Sequence, residues 1–415
     1  MSKSRMAAAR RKIASSYLEF KSAVLGVNSV TFQPKGDDEN EDRIVVEPWE
    51  IYGQRWLFLA VFDGHIGNTT ADYAARALTP AIRATLQEFI RSIGGRLDRS
   101  NIATHAPQVT TLLKNEIEML DKRLGDAVRE VCPRPEELTQ EQARRLIEEH
   151  HDILRRAFSG TTVAFTLIEV DQRFMWAAGV GDSSVGLSYI DRDGRRRGKR
   201  LCTMHTFKDR QEYFYATMAH PSSEQPLFDH EDRMLGWMSV ARAIGDFSLK
   251  LPAPYLANLF RYLPDFEEAP FDKYIPKIKT PPYIYCWPSV RFTDLEPYWG
   301  RQSKVFLFTD GVDNLVDGCM VFKPRQHSGA DPIDVVSALL ADHIEPRIPA
   351  TLGHPVVPRW CGRDSNRAAD VLGNLLGGMD VERLEMVTDL ELLNGDASKW
   401  PFHIDDTSII VWHSP

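Results

Sequence analysis

The 415-residue chain reads as an α+β protein. Three observations carry that reading. Short β-rich runs recur near both ends and in the middle of the chain. Long stretches of helical spacing separate the first of these runs from the next. The composition is that of a folded core, with 43% hydrophobic and 26% charged residues. At ~150 residues per domain the length suits two to three domains, and one large domain with insertions fits equally well.

The elements follow in order. Residues 1–18 carry Lys3, Arg5, Arg10, Arg11 and Lys12 and no acid. A cleavable mitochondrial presequence has this make-up, and so does a plain basic leader or the start of a first helix. Residues 22–33 and 43–62 are β-rich, with 43–46 and 56–62 as strands. Thr69 and Thr70 cap a helix to about Ile90, in which Tyr73, Ala77, Leu78, Ile82, Leu86 and Phe89 recur at helical spacing. A loop over 93–108 leads to a helix near 109–130. Thr139 with Gln142 forms a capping box for a third helix that ends before Gly160. Strands at 161–170 and 173–180 flank the turn Asp171-Gln172, and 184–190 leads into Arg195-Arg196-Arg197-Gly198-Lys199-Arg200. That cluster reads as a solvated turn, with a docking surface for an acidic partner as its alternative. Residues 250–300, rich in proline and aromatics, form an extended excursion. Buried strands at 305–309 and 407–412 enclose helices at 331–345 and 362–379.

Composition also excludes. The 50 basic against 58 acidic residues leave a formal charge of −8, and no zinc-finger or helix-turn-helix signature offsets it. No nucleic-acid partner is expected. The longest apolar runs, such as 56–62, are far too short to span a membrane. Cys132, Cys202, Cys286, Cys319 and Cys361 are scattered and never in CxxC spacing, which suits a reducing compartment and no zinc–thiolate site.

The chemistry lies in acids at the tips of apolar strands. Val61-Phe62-Asp63-Gly64-His65 and Phe306-Leu307-Phe308-Thr309-Asp310-Gly311 share one pattern, and Gly179-Val180-Gly181-Asp182-Ser183 is a looser third case. Glu41-Asp42 and Asp405-Asp406 adjoin strand-like segments. Carboxylates gathered at strand ends repel and raise one another's pKa unless divalent cations neutralise them. All-oxygen ligation suits Mg²⁺ or Mn²⁺. A pair of such ions activates a bridging water for in-line attack on phosphorus, and His65 at the rim can protonate the leaving oxygen. Turn acids and a packed histidine are the plainer reading of the same residues.

The motifs resemble those of metal-dependent protein serine/threonine phosphatases of type 2C. They are Glu41-Asp42, Val61-Phe62-Asp63-Gly64-His65-Ile66-Gly67, Phe158-Ser159-Gly160-Thr161-Thr162, Gly179-Val180-Gly181-Asp182-Ser183 and Ser239-Val240-Ala241-Arg242-Ala243-Ile244-Gly245-Asp246. Phe308-Thr309-Asp310-Gly311-Val312 and Asp405-Asp406-Thr407-Ser408-Ile409-Ile410-Val411 complete the set. Asn40-Glu41-Asp42-Arg43, Asp232-Arg233-Met234-Leu235-Gly236 and Lys273-Tyr274-Ile275-Pro276 before Thr280-Pro281-Pro282-Tyr283 resemble the pyruvate dehydrogenase phosphatase branch.

The resemblance implies a central β-sandwich of two antiparallel sheets with helices on both faces. It implies a basic leader at 1–20 and one catalytic domain over 21–415, with insertions near 191–235, 250–300 and 320–400. Two Mg²⁺ or Mn²⁺ ions per chain, with a labile third, would act on phosphoserine or phosphothreonine of a phosphoprotein. Asp63 would bridge both ions, Asp310 and Asp405 would complete one shell, and Glu41 with the Gly64 carbonyl would serve the other. Asp42 would hold a metal-bound water, His65 would be the general acid, and Asp182 would share the third ion with Asp310. The target would be a pyruvate dehydrogenase-type complex in the mitochondrial matrix. A cytoplasmic signalling phosphatase, or a pseudophosphatase acting as a binding module, is the alternative. Three positions depart from the common pattern: Asp37 stands where an arginine clamps phosphate, Ser184 replaces another arginine, and Asn314 replaces an acid, with Asp313 adjacent. Arg43 is the substitute phosphate ligand.

Overall fold

The computed structural model describes residues 2–35, 39–266, 269–300, 302–324, 326–395 and 402–414. Twelve strands, β1 (Tyr17–Ser22), β2 (Val27–Phe32), β3 (Arg43–Ile51), β4 (Gln54–His65), β5 (Gly160–Glu169), β6 (Phe174–Val180), β7 (Ser184–Ile190), β8 (Arg196–Arg200), β9 (Ile244–Gly245), β10 (Ser289–Asp294), β11 (Lys304–Phe308) and β12 (Thr407–His413), make two sheets. One runs β1-β2-β12-β11-β7-β8; the other runs β10-β6-β5-β4-β3, with β9 pairing β5. Neighbours in both are antiparallel.

The alternation of side chains along each strand builds the layers. On β4, Leu57, Leu59 and Val61 face Val185, Leu187, Val305, Leu307 and Ile410 across the sandwich. The alternate residues Trp56, Phe58 and Phe62 pack under α2 (Thr69–Ser92), α3 (Ile102–Val131) and α4 (Gln140–Phe158). Phe306, Phe308, Ile409 and Val411 of the first sheet bury against α7 (Pro332–Leu339) and α8 (Arg367–Leu375), and against Ala9 and Ile13 of α1 (Ser2–Ala14). Two further helices flank the cleft region, α5 (Arg210–Ala219) and α6 (Gly311–Asp317). The architecture is the expected α+β sandwich with helices on both outer faces. Strands covered on both sides explain the unbroken apolar run 56–62.

Thr139 accepts from the Gln142 amide and completes the expected capping box. Elsewhere boundaries move. The second long helix begins at Ile102, ahead of 109, because Ala106 and Val109 are buried and Pro107 lies near enough its start to cost only one bond. The arginine cluster is not a turn. Residues 196–200 form β8, in register with β7 from Gly186↔Arg200 to Ile190↔Arg196. The turn precedes it at 191–195, where Asp191 accepts from the Asp193 and Arg195 amides.

The segment 2–22 is anchored to the rest of the fold at a few points. Ile13 is fully buried, Arg5 grips Glu385 through two bonds of 3.0 and 2.6 Å, and β1 pairs with β2. A boundary between 20 and 21 falls inside β1.

Candidate metal centre and active site

The acids singled out above arrive at one end of the sandwich because strands begin or end there. Asp63, Gly64 and His65 form the tip of β4, Asp310 follows β11, and Asp405-Asp406 precede β12. Glu41-Asp42 precede β3, and Asp182 follows β6. Carboxylate oxygens of Asp63, Asp182 and Asp310 all lie within 4.8 Å of one another. The Asp310 amide donates to Asp63 Oδ2 at 3.3 Å.

Hydrogen bonds hold the remaining acids around this trio. Thr309 Oγ1 donates to Asp42 Oδ2 at 2.8 Å, and Asp42 is almost fully buried with Oδ1 unpartnered. The Glu41 amide donates to Asp406 Oδ2 at 2.6 Å, a contact between residues 365 apart in sequence. Glu41 Oε1 accepts from the Gly67 amide at 2.6 Å. Glu41, Asp405 and Asp406 line a cavity of about 360 Å³ with Lys35 and His403. Position 64 requires glycine: a Cβ there would stand 2.6 Å from the Glu41 carbonyl oxygen.

The electrostatics are those of an uncompensated anion cluster. Burial first, and then neighbouring aspartates, push Asp42, Asp63 and Asp310 well above the carboxylate range. Burial also raises Glu41, brings Asp182 to about 6 and Asp406 to about 7. Oxygen donors at this spacing, with an orphaned buried carboxylate oxygen among them, fit hard divalent cations. Such a cation would be held by Asp63, Asp182 and Asp310, with Glu41 and Asp405 beside them.

Four residues outside the expected site list enter here. Asp246 accepts from His65 Nε2 at 2.8 and 2.9 Å. Burial opposes charge on His65, but Asp246 overrides it and the net shift is upward. Asp246 is 1% exposed and held at φ +54, its amide bonded to the Ser159 carbonyl. Gly160 makes room for the pair, since a Cβ there would lie 2.1 Å from both His65 Nε2 and Asp246 Oδ2. The signal was present in Ala243-Ile244-Gly245-Asp246, but spacing alone gives that aspartate no partner. Asp313 is half-buried with its Oδ2 enclosed and unpartnered, is raised to about 8, first by desolvation, and lies within electrostatic reach of Asp182. His403 pairs with Asp405 at 3.6 Å, and Lys35 lines the same cavity.

Arg43 points elsewhere than a phosphate ligand should. It pairs with Asp72 of α2 at 2.5 Å and donates to the Asn40 and Asp42 carbonyls at 2.5 and 2.7 Å, which fixes the loop carrying Glu41. Ser184 Oγ accepts from Arg200 of β8 at 2.5 Å. Asp37 lies outside the described residues.

Known proteins share this arrangement. The model of the protein phosphatase 2C family matches residues 33–274, more than half of the chain. Human [pyruvate dehydrogenase [acetyl-transferring]]-phosphatase 1, mitochondrial, is 30% identical over 162 residues, which are 39% of this chain and 29% of that protein. Human [pyruvate dehydrogenase [acetyl-transferring]]-phosphatase 2, mitochondrial, is 28% identical over 164 residues, or 39% and 30% of the two chains. The matched segment spans less than a third of these relatives' length. The crystal structure of serine-threonine phosphatase 2C from Toxoplasma gondii superimposes with a TM-score of 0.53 at 12% identity, covering 96% of this chain and 99% of that one. That likeness is one of fold. With the strand-end acids in place, the chain belongs to the protein phosphatase 2C family.

Proposed function

We propose that this chain hydrolyses phosphoserine or phosphothreonine in phosphoproteins, using two Mg²⁺ or Mn²⁺ ions and a water nucleophile. The observation that carries the reading is the convergence of Asp63, Asp182 and Asp310 within 4.8 Å at the end of both sheets. Bound divalent cations supply Lewis-acid charge and a water acidic enough to attack phosphorus at neutral pH. Asp63, Asp310, Asp405, Glu41 and the Gly64 carbonyl would hold the two ions, and Asp182 would take part in holding a labile third. Asp42 orients water through its free Oδ1. Asp246 keeps the His65 proton on Nε2, and protonated His65 delivers its Nδ1 proton to the leaving oxygen. Lys35, two residues before position 37, meets the substrate phosphate in the cavity lined by Glu41 and Asp405, and Arg43 supports it only through the loop.

A single catalytic unit over 21–415 and a pyruvate dehydrogenase-type complex as target extend the same reading. Support for the target is the 30% identity to a phosphatase of that name, which is also the support for the mitochondrial matrix. The test is turnover of a phosphothreonine peptide by the purified chain with Mn²⁺, Mg²⁺ or chelator. Metal-dependent release of phosphate, lost in Asp310→Asn, supports the reading. A folded chain that binds Mn²⁺ yet releases none from peptide or phosphorylated dehydrogenase would be a binding module instead.

A further inference from the structure

At the end of β11 and β12 remote from the acids, the charge reverses. Lys304 opens β11 and pairs across the ladder with His413, which closes β12. With Gln302, Ser303, Arg359 and Arg367 they line a cavity of about 340 Å³. Six residues of near-extended chain separate Lys304 from Asp310, about 20 Å at ~3.3 Å per residue. This cavity is therefore distinct from the metal centre, and nothing about it depends on the phosphatase reading.

Arg367 is the informative side chain. It begins α8 and is only 4% exposed. Its Nη1 donates to Asp370 at 2.9 Å and to the Pro358 carbonyl. Its Nε and Nη2 are buried and bond to nothing among the described residues. Those two nitrogens form the parallel-donor edge of the guanidinium, the edge that matches two oxygens of one anion. Two other arginines fill this edge: Arg242 grips Glu212 with it at 3.0 and 2.5 Å, and Arg5 grips Glu385. A buried fork left unfilled is costly, because its nitrogens have given up water without gaining a partner.

The surroundings repeat the message. Arg196 bonds Gln302 from β8, and Arg359 pairs with Asp342 at 2.9 Å. Asp342 is the acid among the described residues of the cavity wall, and Asp370 pairs with Arg367 beside it. Burial first, and then the neighbouring arginines, lower Lys304 to about 8. Burial and then Lys304 lower His413 to about 4. Lys304 lies in the β11 ladder through its backbone, while its side chain makes no hydrogen bond among the described residues, so its ammonium is available to a third oxygen. Ser303 and Ser414 place hydroxyls 3.2 Å apart on the same wall.

We propose that this cavity is a binding site for a small tetrahedral oxyanion of the phosphate class, either inorganic phosphate or a phosphate monoester. The Arg367 fork takes two oxygens, Lys304 a third, and the surplus of cations over Asp342 and Asp370 matches a dianion.

The test uses the full-length chain. Lys304 is acetylated by a trace of acetic anhydride and quantified by mass spectrometry, with and without inorganic phosphate at constant ionic strength, beside calorimetric titration with the same salt. The expected result is at least fivefold protection of Lys304 at millimolar phosphate, and one binding heat that weakens tenfold or more in Arg359→Gln and in Lys304→Gln. Both variants spare the buried Arg367–Asp370 pair, so loss of binding would not mean loss of fold. Asp310→Asn keeps the protection, which separates this site from product phosphate at the acidic end. A phosphate monoester such as phosphoserine protecting better than inorganic phosphate assigns the source to an organic ligand. Equal reactivity of Lys304 in phosphate and chloride overturns the proposal, with solvent then meeting the Arg367 edge. Stronger protection by citrate than by either phosphate also overturns it, in favour of a carboxylate site.

Discussion

The two ends of β11 and β12 bury charge of opposite sign, and they solve the problem by different means. At one end carboxylate oxygens of Asp63, Asp182 and Asp310 come within 4.8 Å of one another. At the other, Lys304, Arg367 and His413 crowd together with Asp342 and Asp370 as the neighbouring acids. The acidic end has oxygen donors pointing inward from five chain segments, a set that one or two cations can satisfy at once. The basic end is built from a strand start, a strand end and a helix start, and it keeps a guanidinium partly paired. Buried like charge is costly at both. The lesson is that each end is stable in a different pH range.

The sharpest way to break the comparison is to remove one acid. Asp310→Asn should lower peptide turnover on the order of 10³-fold, which is ~4 kcal/mol of barrier, while circular dichroism shows the fold retained. A variant of near wild-type rate would dissolve the acidic end as a functional unit. Next comes acid titration of the basic end. His413 has a folded pKa of about 4, below its ordinary 6.5, so its neutral form is favoured in the native state. The stability this represents is present above pH 6.5 and lost as pH falls through about 4. Its full size is at most about 3 kcal/mol before screening. Urea unfolding of wild type and His413→Asn between pH 7 and 4 should show the slope shrink in the variant.

The acidic end should titrate in the opposite sense when chelator is present. Asp182 and Asp406 have folded values of about 6 and about 7, above the ordinary 3.8, so their stabilising protonation is complete at low pH and lost as pH rises through 6 to 7. Mn²⁺ should reverse that loss, adding ~2.7 kcal/mol at a hundredfold excess over its dissociation constant. Thermal melts at pH 7.5 that ignore Mn²⁺ would contradict a cation site. The smallest effect expected is Asp246→Asn, at ~10-fold in kcat with Mn²⁺ affinity unchanged, because Asp246 touches His65 and none of the carboxylate trio. A matching loss of Mn²⁺ affinity would place it among the ligands instead.

Much of the acidic end was legible in the sequence because strand tips are written in one dimension. An apolar run followed by Asp-Gly announces both the strand and its end, and this holds at Asp63 and Asp310. Asp246 was harder, since its role depends on a left-handed residue that turns it toward His65, and neither feature shows in local composition. Arg43 adjoins Glu41 in sequence, and its pairing with Asp72 on the helix opposite is a contact that no local spacing announces. The arginine cluster at 196–200 was mistaken for a turn because charged residues on a sheet edge carry no hydrophobic alternation to mark them. The basic cavity left no trace at all. Its members come from loops and element ends far apart in the chain, and no motif spaces them.

The place of β12 in the first sheet sets an order of events. It lies between β2 and β11, so an inner strand of that sheet is synthesised after both of its neighbours. Until it inserts, β2 and β11 have no common neighbour, and Asp405-Asp406, just ahead of it, are absent from the cluster. Pairings of such long range are slow to form. A nascent chain carrying Glu41 and Asp63 therefore has to wait for β12 before Asp405 and Asp406 join the cluster, so chains cut ahead of β12 should lack a complete set of acids.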